Sequence, residues 1–216
     1  PGLEASVQGK SLPGHVRSVD ARGIRQVKLI DATPIGINVR STVATYANVH
    51  DELRKTFART SDAKELGFKA GDFSYNTGKL RCPVCDGTGV ISLDVQFLPD
   101  VKITCPDCRG SRYSKDALKI KYTNKKDKLA PSWSLPELME MDVSTALKAC
   151  GNLKTVHQRL QVLEDLGLGY LTLGEETPSL SGGEAQRLKL ASEMGKAQSD
   201  SIFVFDEPTI GLHPLD

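Results

Sequence analysis

The stretch Leu180-Ser181-Gly182-Gly183-Glu184-Ala185-Gln186-Arg187 decides the fold. Ser181 and Glu184 have the S-x-x-E spacing of a capping box, in which each side chain accepts from the other residue's backbone N–H. A helix therefore starts here. Gly182 and Gly183 fall in its first turn, although each glycine weakens a helix. They leave bare N–H groups at the positive end of the helix dipole, an arrangement suited to gripping a phosphate. An ordinary capped helix would leave the glycine pair unexplained.

Downstream, Ser201-Ile202-Phe203-Val204-Phe205 has the length and the β-branched and aromatic content of a buried strand. It ends in Asp206-Glu207-Pro208. An apolar strand closing on two acids fits a Walker B element, with Asp206 for Mg²⁺ and Glu207 to orient or deprotonate water. A strand with a solvated acidic end is the plainer alternative, and the order and separation of the two motifs favour the nucleotide reading. Upstream, Val27 and Leu29 flank Lys28 in a short strand ending near Asp31. Residues 1–26 and 32–46 read as loop, on their Gly, Pro and hydroxyl content. Val49, Leu53 and Phe57 predict a helix over 49–59. Val143, Leu147 and Cys150, with Gly151 at C′, predict a second helix. Leu153, Val156, Leu160 and Leu163 carry helical spacing on to Gly167.

The 216 residues are 39% hydrophobic and 25% charged, ordinary for a globular protein. Lys and Arg number 28 against 27 Asp and Glu, so bulk charge neither demands nor excludes a polyanionic partner. No apolar run is long enough to span a membrane, and PGLEASVQGK lacks a signal-peptide core. The expected location is cytoplasmic, without a membrane partner. A chain that starts on Pro1 and stops just after a motif reads as a piece of something larger.

Four of the five cysteines form two tight pairs, Cys82-x2-Cys85 and Cys105-x2-Cys108. Two such turns aim four thiolates at one centre and leave no position open for water, so the expected metal is a structural zinc. Four reduced thiols, two disulfides, or iron on the same ligands are the alternatives. Ile91, Leu93, Val95 and Phe97 alternate with polar residues, and Pro99-Asp100 offers a turn back through Val101-Lys102-Ile103-Thr104. A hairpin between the pairs would bring its two ends together. Cys150 reads as a buried thiol. Beside the pairs, residues 109–128 hold Arg109, Arg112, Lys115, Lys119, Lys121, Lys125, Lys126 and Lys128 against Asp116 and Asp127. Such a surplus suits contact with a phosphate backbone, and Arg112, Lys119 and Lys121 are the candidate DNA contacts. A solvated lysine face is the alternative.

At LSGGEAQR and FVFDEPTIGLHPLD the chain resembles the ATP-binding cassette (ABC) ATPases, as signature, Walker B and D-loop. PIG…RS..ATY (34–46), FSYN (73–76), CPVCDGTGVI, QFLPDV (96–101), CRGSRY (108–113) and LGLGYLTLG (166–174) narrow the resemblance to the C-terminal half of the UvrA family, the damage-sensing subunits of nucleotide excision repair. The resemblance runs from about Val27 to Asp216. It implies an α/β fold: a fragment of an ABC-type (P-loop) ATPase domain with an inserted mixed α/β zinc-binding module. The implied divisions are 1–46 for the N-terminal core with its Q-loop region, 47–165 for the insertion, and 166–216 for the signature helix, Walker B and D-loop. It further implies that Ser181, Gly182 and Gly183, with Glu184 and Gln186, face ATP held by an opposing cassette. Asp206 would support Mg²⁺ and Glu207 would be the catalytic base. DNA, a UvrB-like subunit and a second copy of the full-length protein are the implied partners.

Two departures stand out. The family strand before PIG ends I-D-Q, whereas this chain has Ile30-Asp31-Ala32, and Ala32 cannot serve as the Q-loop glutamine. PIGINVRSTVATY likewise replaces PIGRTPRSNPATY. Both point to slow hydrolysis in a divergent paralogue. Gly9-Lys10-Ser11 is not a Walker A, because Glu4 stands where its first glycine belongs and no strand precedes it. A P-loop is expected upstream and a switch histidine downstream, so the chain alone should not turn over ATP. Two rival readings are a DnaJ-type zinc chaperone module and an ABC transporter's nucleotide-binding subunit. The first has no place for LSGGEAQR or FDEP, and the second none for a long zinc-bearing insertion.

Overall fold

The computed structural model describes residues 1–36, 38–93, 101–123, 131–194 and 200–206. Its elements in chain order are α1 (Gly2–Val7), β1 (Gln26–Ile30), α2 (Val43–Tyr46), α3 (Val49–Phe57), α4 (Ser61–Glu65), β2 (Val90–Leu93), β3 (Val101–Thr104), α5 (Leu135–Met139), α6 (Val143–Ala149), α7 (Lys154–Asp165), α8 (Gly182–Met194) and β4 (Ser201–Phe205). Short 3₁₀ turns cover Lys115–Lys119 and Thr177–Ser179.

β1 and β4 pair in parallel, from Gln26 opposite Ser201 to Ile30 opposite Phe205. Parallel strands need a long crossover. Here the crossover is the helical body and the cysteine module together. β2 and β3 form a separate antiparallel hairpin, Val90 opposite Thr104 and Leu93 opposite Val101. Its expected continuation through Val95, Phe97, Pro99 and Asp100 lies outside the described residues.

One apolar core ties the helices together. Val49, Leu53 and Phe57 bury the stripe of α3 against Phe73, Tyr75, Leu138 and the Leu160–Leu163 face of α7, and the core continues into Ala185 and Leu188 of α8. Burial of several such side chains, each contributing about 1.5–3 kcal/mol, is what fixes α8 relative to the rest.

Four expectations need correction. Residues 1–26 are not all loop, since α1 forms and packs beside β1. Residues 32–46 end in α2, where Thr42 and Thr45 cap each other. Gly151 does not take the left-handed C′ conformation; Gly9, Gly67 and Gly167 do so, after α1, α4 and α7. β4 is not a buried strand, because Val204 and Phe205 remain exposed. Among the described residues its sheet has two strands, and one neighbour cannot cover both faces.

Candidate functional site

α8 starts as the capping-box spacing requires. The Ser181 N–H donates to Glu184 Oε2 at 2.7 Å, and the Glu184 N–H donates to Ser181 Oγ at 3.4 Å. The first helical bond runs from the Ala185 N–H to the Ser181 carbonyl at 2.9 Å. The N–H groups of Gly182 and Gly183 precede that bond and have no acceptor within the helix. Glu184 also accepts from the Tyr170 hydroxyl at 2.6 Å. Burial raises its pKa, but the Tyr170 and Ser181 donors outweigh burial and hold it below the ordinary value. Glu184 thus builds the turn.

Gln186 likewise serves the framework. It is buried, and its Nε2 donates to the Ile30 carbonyl at 3.1 Å and to the Asp206 carbonyl at 2.7 Å. Both donors of the amide are thereby used on the ends of β1 and β4. One turn further along, Lys189 Nζ meets Asp31 Oδ1 at 2.5 Å, the Thr33 carbonyl and hydroxyl at 2.8 Å each, and the Asp31 carbonyl at 3.1 Å. The Lys189 and Thr33 hydrogen bonds lower the Asp31 pKa to about 2. Ala32 sits between these anchors, where a Cβ on Gly182 would lie 3.2 Å from its methyl group. Positions 182, 186 and 189 share one helix face by the i, i+4, i+7 rule, a signal present in the sequence and passed over there. Asp206 is exposed at the end of β4, while Glu207 lies outside the described residues.

The four cysteines come together as their spacing predicts. All are buried, and their sulfurs lie within 4.8 Å of one another. Cys82 and Cys105 are 3.9 Å apart and Cys85 and Cys108 3.6 Å. Sulfurs placed 2.3 Å from a tetrahedral zinc would be roughly 3.8 Å apart, so the cage fits that ion. None of the four is in a disulfide. Burial alone would raise the Cys85 thiol, but the Gly89 N–H, the Cys108 and Cys82 sulfurs and the Gly87 N–H bring it down to about 7. Burial pushes Cys108 up to about 12.

The two cysteine turns are matched residue by residue. After Cys85, Asp86 (φ +49°), Gly87 (+76°) and Gly89 (+80°) are left-handed; after Cys108, Arg109 (+51°), Gly110 (+90°) and Arg112 (+72°) are. Gly87 is obligatory for a second reason, since a Cβ there would lie 1.7 Å from the Tyr75 carbonyl oxygen. The turns also exchange bonds, Cys105 N–H to the Gly89 carbonyl and Cys82 N–H to the Arg112 carbonyl, both at 2.9 Å.

Arg112, expected as a DNA contact, is buried. Its side chain is 5% exposed and pairs with Glu176 at 2.9 Å. It also donates to the Val39 carbonyl at 3.0 Å and lies over the Tyr75 ring, 5.3 Å from the centroid. An arginine so enclosed is withdrawn from any DNA surface. Lys119 stands 69% exposed beside Asp116, and Lys121 is half-exposed against Glu137. Lys125, Lys126 and Lys128 lie outside the described residues.

Comparison with known proteins accords with this geometry. UvrABC system protein A of Clostridium acetobutylicum is 43% identical over 213 residues, 97% of this chain and 22% of that protein. The Thermus thermophilus protein of that name is 40% identical over 209 residues, 96% of this chain and 21% of its own length. The crystal structure of UvrA2 from Deinococcus radiodurans superposes with a TM-score of 0.80 at 38% identity, covering 91% of this chain and 23% of the other. The chain is UvrA-like. It spans about a fifth of the length of these curated relatives. No protein-family model matches it. The fold matched is that of a UvrA, an ABC-type α/β architecture, and the UvrA-like chain carries within it the four-cysteine cluster. No helix among its described residues is long and apolar enough to cross a membrane.

Proposed function

We propose that this chain is the segment of a UvrA-like ABC ATPase that presents the signature turn to nucleotide and carries a zinc-stapled module acting on DNA in nucleotide excision repair. The observation that carries the reading is the start of α8. The N–H groups of Gly182 and buried Gly183 have no acceptor within the helix there, while Gln186 ties the same helix to the strand end that bears Asp206. One helix would thus link an anion-gripping turn to an acid that would support Mg²⁺. Ser181, Gly182 and Gly183 would meet the γ-phosphate of ATP on an opposing cassette, which requires two copies of the full-length protein or two cassettes within it. Asp206 would support Mg²⁺, and Glu207 would be the base.

Cys82, Cys85, Cys105 and Cys108 would hold zinc, whose contribution is structural, since a full set of four thiolates leaves no open position. Lys119 and Lys121 would contact DNA, and a UvrB-like subunit would be the protein partner. The divisions at 46/47 and 165/166 and a cytoplasmic location belong to the same reading. Gly9-Lys10-Ser11 follows α1 rather than a strand, which supports the view that the chain alone lacks a P-loop.

The test is ATP turnover by the full-length protein. Wild type should hydrolyse Mg-ATP and change its affinity for damaged duplex on binding nucleotide. Glu207→Gln should bind ATP and fail to hydrolyse it. Wild-type protein that binds no nucleotide would remove the proposal.

A further inference from the structure

Arg112 occupies a position where the matched turn has Gly89, and it adopts the same left-handed backbone. An arginine there carries a backbone strain that glycine avoids. Its main chain belongs to the cysteine cage, because its carbonyl accepts the Cys82 N–H. Its side chain leaves the cage entirely. The guanidinium reaches Glu176 at 2.9 Å and Val39 at 3.0 Å, and it covers Tyr75. Tyr75 in turn donates to the Arg40 carbonyl at 2.9 Å and shares a hydrogen bond with Thr42 at 3.2 Å.

Glu176 leads directly to the start of α8. Its backbone bridges to Thr42, and its carbonyl accepts the Ser179 hydroxyl at 2.6 Å. The 3₁₀ turn Thr177–Ser179 follows, held by Thr177 N–H to the Ser41 carbonyl at 3.0 Å and Thr177 Oγ1 to the Ile35 carbonyl at 3.1 Å. Buried Leu180 and then Ser181 come next. The Arg112–Glu176 pair, alongside the Arg40–Asp86 pair, therefore joins the cysteine cage to the segment that sets the signature turn. A charge-assisted contact whose guanidinium is buried is a more rigid joint than a surface pair.

We propose that Arg112 is a positioning residue that couples metal occupancy of the four-cysteine cage to nucleotide affinity at the start of α8, acting through Glu176. This inference rests on the nucleotide reading given above. It predicts that the cage and the signature turn are thermodynamically linked, and that the link can be cut without emptying the cage. Arg112→Gly is the natural variant, because it restores the residue of the matched turn and relieves the left-handed strain.

The experiment measures zinc content per chain and the Kd of a fluorescent ATP analogue for the full-length protein, before and after stripping with a chelator and reductant. Stripping should weaken nucleotide binding by wild type about fivefold or more, a typical coupling. Arg112→Gly should retain its zinc, show the weakened Kd while loaded, and lose less than about twofold on stripping. Glu176→Gln, which keeps the shape of the acceptor but not its charge, should behave like Arg112→Gly, and the double variant should add nothing. Equal losses on stripping wild type and Arg112→Gly would overturn the coupling. So would loss of zinc by Arg112→Gly, which would make Arg112 part of the cage. Wild-type protein that binds no analogue when loaded would overturn the nucleotide reading itself, and this inference with it.

Discussion

Gln186 spends both amide protons on the carbonyls of Ile30 and Asp206, 156 and 20 residues away in sequence, so that one side chain of α8 closes the ends of two parallel strands. Removing it leaves the Ile30 carbonyl with the Asp206 N–H as its remaining donor and the Asp206 carbonyl one donor short. An unsatisfied buried group costs about 1–3 kcal/mol. Gln186→Leu should therefore lower the unfolding free energy by about 1 kcal/mol or more, read from denaturant titration. Because the Asp206 end is freed, it should also raise the Mg²⁺ concentration needed for half-maximal ATP turnover. A stability loss with an unchanged Mg²⁺ requirement would show that the clamp does not position Asp206.

Ala32 lies against Gly182 with only a methyl group to offer. If a glutamine at this position is what water and Mg²⁺ lack, Ala32→Gln in the full-length protein should raise kcat by about tenfold or more, the lower end of what one placed polar group contributes. Steady-state turnover at saturating Mg-ATP decides it; an unchanged kcat would mean that this position does not limit hydrolysis.

The cysteine cage holds β2 and β3 at their base, and both strands of the hairpin are largely exposed. Without metal, four thiols at contact distance and a few main-chain hydrogen bonds are what closes it. Cys85→Ser should lower the bound zinc well below one ion per chain and open residues 82–113 to limited proteolysis, while α3 and α7 stay protected. Mass mapping of the first cuts reads this directly, and cuts spread evenly over the chain would contradict it.

His50 is buried between Tyr75 and Tyr113, its Nε2 2.7 Å from the Tyr113 hydroxyl, which itself donates to the Phe73 carbonyl. Burial, with Arg54 nearby, lowers its pKa from 6.5 to about 3. The unfolded chain therefore takes up a proton below 6.5 that the folded chain refuses. Stability from this group is complete above 6.5 and is lost as pH falls from there toward 3, at no more than about 1.4 kcal/mol per unit. Asp31, with its pKa lowered to about 2 from 3.8, adds a loss only below 3.8. Denaturant titrations between pH 7 and 4.5 should thus show a decline that His50→Gln flattens, at the cost of a lower plateau. A wild-type profile already flat over that interval would refute the assignment.

The local signals carried most of the frame. β1, α3, α7, the capped start of α8, β4 and the cysteine hairpin all follow from spacing within a few residues. The 3.6-residue and two-residue periods are visible wherever one face is buried. Ser134-x-x-Glu137 announces α5 in the same way, with Pro136 in its first turn, and was there to be read. The pairs that define the site were not. Arg112 with Glu176, Gln186 with Ile30 and Lys189 with Asp31 join residues 64 to 158 positions apart, and no periodicity reports such contacts. Composition misled in one place, since a surplus of cations over 109–128 says nothing of which one turns inward, and Arg112 does.

Leu29, Val204 and Phe205 stand on the surface of a two-stranded sheet. Backbone groups along an unshielded strand margin invite a second molecule to zip alongside, and greasy side chains there make that union adhesive. A recombinant polypeptide limited to these 216 residues should accordingly self-associate as it is concentrated, with light scattering climbing before any enzymology is possible. Lysines at 29 and 204 are the remedy that the geometry recommends to anyone who wants the piece in solution.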